Sequence, residues 1–257
     1  MDARRHLLRV ASGLCLILLW WATSALYGDP AFLPGPWSVF RQMGRIMTSG
    51  DFFFHMGHTL FRVVAGFLLA FLTGAAIGVA MGVSRTAETF FEVEVLVGLS
   101  IPGLAWAFIG VLLFGTKDLA PIFAIFLIIL PMITVNVWEG TKALDRGLIE
   151  MGLSFRASRA LLVRRIVLPQ LLPYLFAATR FGFALAWKVV VLSEVFGLSN
   201  GIGFMLHTAF ENFAIEGVLA WTLSFSLVMF TLEFGLVKIL ERRLTRWRPA
   251  VSLGTAA

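Results

Sequence analysis

The sequence predicts an all-α polytopic membrane protein with six transmembrane helices. Three observations carry that prediction. Of the 257 residues, 59% are hydrophobic and only 14% charged, and the mean hydropathy is +0.88. A water-soluble core of this size has no means of hiding so much apolar surface, so lipid must serve as solvent for much of the chain. The apolar residues also fall in runs of about 20, the length of a helical span, without the in–out alternation of a membrane barrel. Finally, the net charge of +6 is concentrated at the ends of those runs, where Lys and Arg set topology. That placement argues against nucleic acid as the partner of the basic residues. The single cysteine, Cys15, lies inside an apolar run, so there is no disulfide framework.

The elements follow in order. Arg4, Arg5 and Arg9 precede an uncharged run over residues 10–28. A signal peptide has the same basic-then-apolar layout, but the length of the run and the bulky Trp20 and Trp21 favour a retained first helix, the unit 1–28. Residues 29–58 form an outer segment broken by Pro30, Pro34 and Pro36. Within it, the spacing over 37–47 predicts a short helix lying at the membrane interface. The remaining core, 59–248, contains spans at 63–84, 95–116, 119–138, about 173–195 and about 217–237, and a tail follows at 249–257. In the second span Ala70, Gly74, Gly78 and Gly82 recur every four residues, a stripe that lets another helix approach closely. Pro102 and Gly103 predict a break near the start of the third span, and Pro131 a kink in the fourth.

With six spans and the N-terminus inside, most of the 21 Lys and Arg residues are cytoplasmic, as are both termini. The cytoplasmic group includes Lys142, Arg146, Arg156, Arg159, Arg164 and Arg165, together with Lys238, Arg242, Arg243, Arg246 and Arg248.

No catalytic constellation is visible. The string GVLLFGTKD (110–118) has the glycines of a phosphate loop, but its Thr precedes its Lys and it lies at the end of a span, so nucleotide chemistry is not expected on this chain. His55 and His58 lack a third ligand, so no metal is expected. Charges inside spans say more, because each is costly unless paired or hydrated. Arg180 and Glu233 each lie about 10 Å from the cytoplasmic end of their span at the α-helical rise. They either pair across the fifth and sixth helices, or Arg180 snorkels to the headgroups. Lys188 lies deeper. It either faces a polar passage or pairs structurally with Glu194 or a backbone carbonyl.

The segment 142–173 interrupts the spans. Leu144, Leu148, Met151 and Phe155 recur at helical spacing among charges, Gly152 and Ser154 suggest a turn, a second short helix is expected over 158–165, and Pro169 then begins the fifth span. Two short helices joined by a turn form a knob that either docks into a partner's groove or rests on lipid headgroups.

This segment resembles the cytoplasmic EAA loop of permease subunits of bacterial ATP-binding-cassette importers. Glu150, Met151 and Gly152 stand at the Glu-Ala-Ala positions, Arg156 at the turn glycine, and Ile166, Val167, Leu168 and Pro169 at Ile-x-Leu-Pro. The Glu and the Ile-x-Leu-Pro are kept, whereas Arg156 implies a bend that does not rely on a left-handed glycine. Further strings are similar to the nitrate, sulfonate and taurine group: LPGPWSVF (33–40), HTLFRVVAGF (58–67), SIPGLAW (100–106), RRIVLPQLLPY (164–174), WKVVVLSEVFG (187–197), SNGIGF (199–204) and ERRLTRW (241–247).

The resemblance implies a type I importer permease fold in the bacterial inner membrane. It also implies a homodimeric pore, two copies of an ATPase that bind ATP and Mg, and a periplasmic or lipid-anchored substrate-binding protein. The loop residues Glu150, Met151, Gly152, Leu153, Ser154, Phe155 and Arg156, with Pro169, are implied as the ATPase-coupling contact within 140–170. Arg180, Lys188, Glu194 and Glu233 are the candidate pathway or intramembrane polar residues. The expected cargo is a small anionic or vitamin-like solute. A secondary transporter or a non-transporting scaffold is the alternative, but neither a duplicated half nor coupling carboxylates at mid-depth is visible.

Overall fold

The computed structural model describes residues 2–237, and among these no strand occurs. The tail 249–257, the string 241–247 and the basic residues from Lys238 to Arg248 lie outside the described residues.

The chain runs through α1 (Asp2–Tyr27), α2 (Pro36–Met47), α3 (Gly50–Val83), α4 (Arg85–Ser100), α5 (Gly103–Phe114), α6 (Leu119–Lys142), α7 (Arg146–Ser154), α8 (Arg159–Leu162), α9 (Leu168–Gly197), α10 (Ile202–Glu211) and α11 (Ile215–Thr231). Four helical stretches are long and apolar enough to cross a membrane, and a fifth is added if the bent pair α4–α5 counts as one span. α11 is apolar but shorter, and a π-helical stretch continues it over Leu232–Val237.

The core is a three-helix seam. Val63, Phe67 and Ala70 of α3 pack with Ile125, Ile129, Ile133 and Val137 of α6 and with Ala178, Ala186 and Val190 of α9. The glycine stripe makes the α3–α6 contact possible. A Cβ on Gly74 would stand 2.9 Å from the carbonyl oxygen of Leu130, and one on Gly78 would stand 2.6 Å from that of Thr134. Gly82 abuts Thr141, and Gly66, a turn before Ala70, extends the stripe with its Cβ position 2.8 Å from Ile125. The stripe thus serves a helix of the same chain. A second, smaller cluster joins Val39 and Ile46 of α2 to Phe52 and Met56 of α3, Ile202 of α10, and Ala220 and Trp221 of α11. α1 contributes little to either, and its described large apolar residues stay exposed apart from Trp20, whose indole N–H donates to Pro34 O at 3.2 Å.

Several boundaries differ from expectation. α3 begins at Gly50, capped by Ser49, whose side chain accepts from Phe52 N, so the last residues of the expected outer segment, 50–58, and the second span are one rod of 34 residues. The third span is two helices: at Ile101 and Pro102 the chain turns by 95° between α4 and α5, because proline bars the helical hydrogen bond there and restricts the residue before it.

The fifth span does not begin at Pro169. Helix runs without a break from Arg159 to Gly197 over 39 residues, taking in the expected second short helix. A π-helical stretch over Val163–Val167 lies immediately before Pro169. The wider turn relieves the clash between a proline ring and the carbonyl four residues back, so the rod continues through it.

If the α3–α6 seam is the main packing constraint, Gly78→Leu forces a side chain into the Thr134 carbonyl. The thermal midpoint of the purified protein should fall, consistent with an overpacking cost of roughly 1–3 kcal/mol. Gly13→Ala, which would meet nothing within 4 Å, should leave it unchanged.

Candidate functional site

The basic segment between α6 and α9 folds as a fixed hairpin. Asp145 caps α7, its carboxylate accepting from Leu148 N at 3.2 Å, while its own N–H donates to Gln170 Oε1 on α9 at 2.9 Å. Below that root, Lys142 donates to Glu88 at 2.5 Å, tying the end of α6 to the start of α4. Ser158 caps α8 by accepting from Leu161 N at 3.3 Å.

The turn between the two helices corrects an expectation. Arg156 has φ +54°, so the bend does use the left-handed conformation, with arginine in place of glycine. Its N–H donates to Leu153 O at 2.8 Å, and Ala157 N donates to Gly152 O at 3.1 Å, the paired bonds of a Schellman ending. Gly152 is also reassigned. It is buried, and a Cβ there would stand 2.5 Å from Leu162 and 3.0 Å from Ile166, so it is where α7 seats on the returning helix. Glu150, Met151, Leu153, Ser154, Phe155 and Arg156 remain exposed, with Phe155 at 80%. Pro169 lies inside the returning rod, at the start of α9.

A second constellation lies at the other end of α9, and it gathers residues from four of the strings noted above. Arg62, 1% exposed, sits within α3 where the start of α6 and the end of α9 meet it. Its Nε and Nη2 donate to Asp118 Oδ1 at 2.8 and 2.6 Å, and its Nη1 donates to Glu194 Oε1 at 2.7 Å. Nη1 also reaches Asn200 O at 3.0 Å, and Nη2 bonds the Asn200 side chain.

Glu194 is fully buried, and besides Arg62 its carboxylate lies 2.9 Å from Thr59 Oγ1 and accepts from Gly203 N at 2.8 Å. Thr59 Oγ1 in turn accepts from Ile202 N at 2.9 Å, and His55 Nδ1 accepts from Gly201 N at 3.0 Å. Gly201 has φ +106°, and a Cβ there would overlap the Glu194 carboxyl. The loop 198–201 is thereby stitched to α3. Glu194 therefore pairs with Arg62, not with Lys188. His55 takes a structural role, and no cluster of three metal-ligating side chains occurs among the described residues.

Lys188 and Glu233 line one groove between α9 and α11, and Arg180 lies beside Glu233. Arg180 Nε lies 4.0 Å from Glu233 Oε1, with both side chains partly exposed. Lys188 is exposed and lines the same groove as Glu233.

Thr59, Arg62, Asp118 and Asn200 went unrecognised as a site because they come from three separated segments. A lone arginine inside an otherwise apolar helix, and the paired glycines of SNGIGF, were the available signals.

Two outcomes check these geometries. Arg62→Met leaves Glu194 buried without its cation and should lower stability by about 3–5 kcal/mol, whereas Arg62→Met with Glu194→Met should be milder than either single change; thermal melts of the three variants decide this. Arg156→Gly should leave the melting temperature within a few degrees of wild type or raise it, because glycine occupies φ > 0 without steric cost.

Comparison with known proteins agrees with this layout. The family described as binding-protein-dependent transport system inner membrane component matches residues 63–246. The chain is 29% identical over 255 residues to the taurine transport system permease protein TauC of Escherichia coli (strain K12), covering 97% of this chain and 92% of that one. It is 27% identical over 241 residues to the nitrate import permease protein NrtB of Synechococcus elongatus, covering 90% and 84%. Among solved structures, an inward-facing conformation of the MetNI methionine ABC transporter superposes with a TM-score of 0.60 at 18% identity, over 74% of this chain and 92% of that one, a likeness of fold. The chain therefore belongs to the binding-protein-dependent transport system inner membrane component family, the permease subunits of ATP-binding-cassette importers.

Proposed function

We propose that this chain forms the solute pathway of an ATP-driven importer and converts closure of a partner ATPase into alternating access. The observation that carries this reading is the α7 hairpin. It presents Glu150 beside exposed Met151, Leu153 and Phe155. Its root is held on both sides, by Asp145 to Gln170 and by Lys142 to Glu88. A rigid apolar-and-acidic knob on a 39-residue rod suits the transfer of force. Motion imposed at Phe155 travels along α9, which runs past Arg180 and Lys188 to the Arg62–Glu194 cluster.

In this reading the chain crosses the inner membrane six times, with α4 and α5 as one bent span and both termini cytoplasmic. It pairs with a second copy of itself, engages two ATPase subunits that bind ATP and Mg, and receives solute from an external binding protein. The chain itself carries no catalytic group. The cargo is a small anionic or vitamin-like solute, in keeping with relatives named for taurine, aliphatic sulfonates and nitrate. The cluster at Glu194 anchors the outer end, and Arg180, Lys188 and Glu233 border the pathway.

The test is reconstitution with the ATPase and binding protein in liposomes. Solute-loaded binding protein should stimulate ATP hydrolysis and uptake, and Glu150→Arg should abolish the stimulation or release the ATPase. Unchanged assembly, hydrolysis and uptake in Glu150→Arg would remove the hairpin from the coupling path, and uptake without any ATPase would identify a secondary transporter.

A further inference from the structure

The groove between α9 and α11 has a volume of about 590 Å³, within the range of about 300–1,000 Å³ usual for small-molecule sites. Trp187, Lys188, Thr222, Phe225, Ser226 and Glu233 are among its lining residues. One of these carries unspent donor capacity. Lys188 has no side-chain ion pair or hydrogen bond among the described residues, and the carboxylates nearest to it in the sequence and the groove are committed elsewhere: Glu194 to Arg62, and Glu233 towards Arg180. A cation well inside a span is costly without a partner.

Position separates this lysine from the headgroup region. Along the α-helical rise Lys188 stands about 22 Å from Pro173 and about 14 Å from Gly197 at the outer end of α9. The groove is also distinct from the apolar cavity beside α4, where the unpartnered Trp106 is accompanied by the Glu94 carboxylate rather than by a cation.

We infer that the α9–α11 groove is a binding station for a small solute with an oxyanion headgroup, received by Lys188. Its short apolar body lies against Phe225 and the ring of Trp187, which stand 5.8 Å apart between centroids and meet edge to face. Arg180 holds Glu233 at the cytoplasmic side of the groove and keeps that carboxylate from neutralising Lys188. The inference rests on the proposed transport role and adds to it that the permease itself, and not only an external protein, discriminates by charge.

The experiment uses the full chain in nanodiscs of phosphatidylcholine alone, titrated calorimetrically with nitrate, ethanesulfonate, taurine and propionate. At least one should bind saturably. Lys188→Met should weaken that binding about tenfold or more, and Lys188→Arg should restore most of it, since a hydrogen-bonded charge is worth that much. The melting temperature of each variant should confirm an intact fold. The inference is overturned if none of the four binds, or if Lys188→Met binds as wild type does. It is also overturned if added phosphatidylglycerol displaces the solute, which would identify the groove's occupant as a lipid headgroup. ATP-dependent uptake by the complex with unaltered apparent affinity in Lys188→Met removes the station and leaves the transport role standing. Solute binding that depends on Lys188, with no ATP-dependent uptake by the complex, does the reverse.

Discussion

A guanidinium with 1% exposure, placed between two carboxylates, governs the end of this molecule where α6 begins and α9 stops. Burying Arg62 is tolerable only because all three of its nitrogens are used: two reach Asp118, and the third reaches Glu194 and the backbone of Asn200. Glu194 is likewise buried only because Arg62, Thr59 and Gly203 surround it. The cluster therefore works as one unit. It fixes where α9 ends, how the chain passes Gly201 into α10, and how the loop before α6 meets α3. Glycine is required at Gly201 because the Glu194 carboxyl occupies the place of a side chain there.

From that anchor, close approach of backbones carries the order inward. Gly66, Ala70, Gly74, Gly78 and Gly82 bring α3 against α6, where lipid gives no hydrophobic drive for helix association and van der Waals contact must supply it. α9 packs on the same seam and runs on to become the arm of the hairpin. The two irregularities of the core have different consequences. Proline at 102 turns the chain through a right angle, whereas the π-helical stretch before Pro169 keeps α8 and α9 in one rod.

That continuity links the hairpin to the interior. Gly152 seats α7 on Leu162 and Ile166, so the exposed apolar tip is packed against the rod and not carried by a loose turn. The rod bears Arg180 and Lys188 on its way to Glu194. Along a single helix the molecule thus places an exposed apolar tip, a groove with a cation that has no partner among the described residues, and a buried ionic anchor.

Fold class, the approximate positions of the apolar segments, the α3 stripe and the amphipathic hairpin were all legible in the sequence, because hydropathy, small-residue spacing and helical periodicity are local properties of the chain. The pairing of Glu194 was not legible: Lys188 is its neighbour in sequence, yet Arg62 lies 132 residues away and meets it only when α3 and α9 pack. Arg156 shows the same limit from the other side. Its residue type argued against a left-handed turn, but the two Schellman bonds and the seat at Gly152 impose one. The sequence by itself determined that this chain crosses a membrane as helices and carries a basic hairpin, since both follow from spacing along the chain. Only the tertiary structure decided which charges meet, which are left unpaired and which proline turns the chain, since these depend on which atoms the packed helices bring within reach of one another.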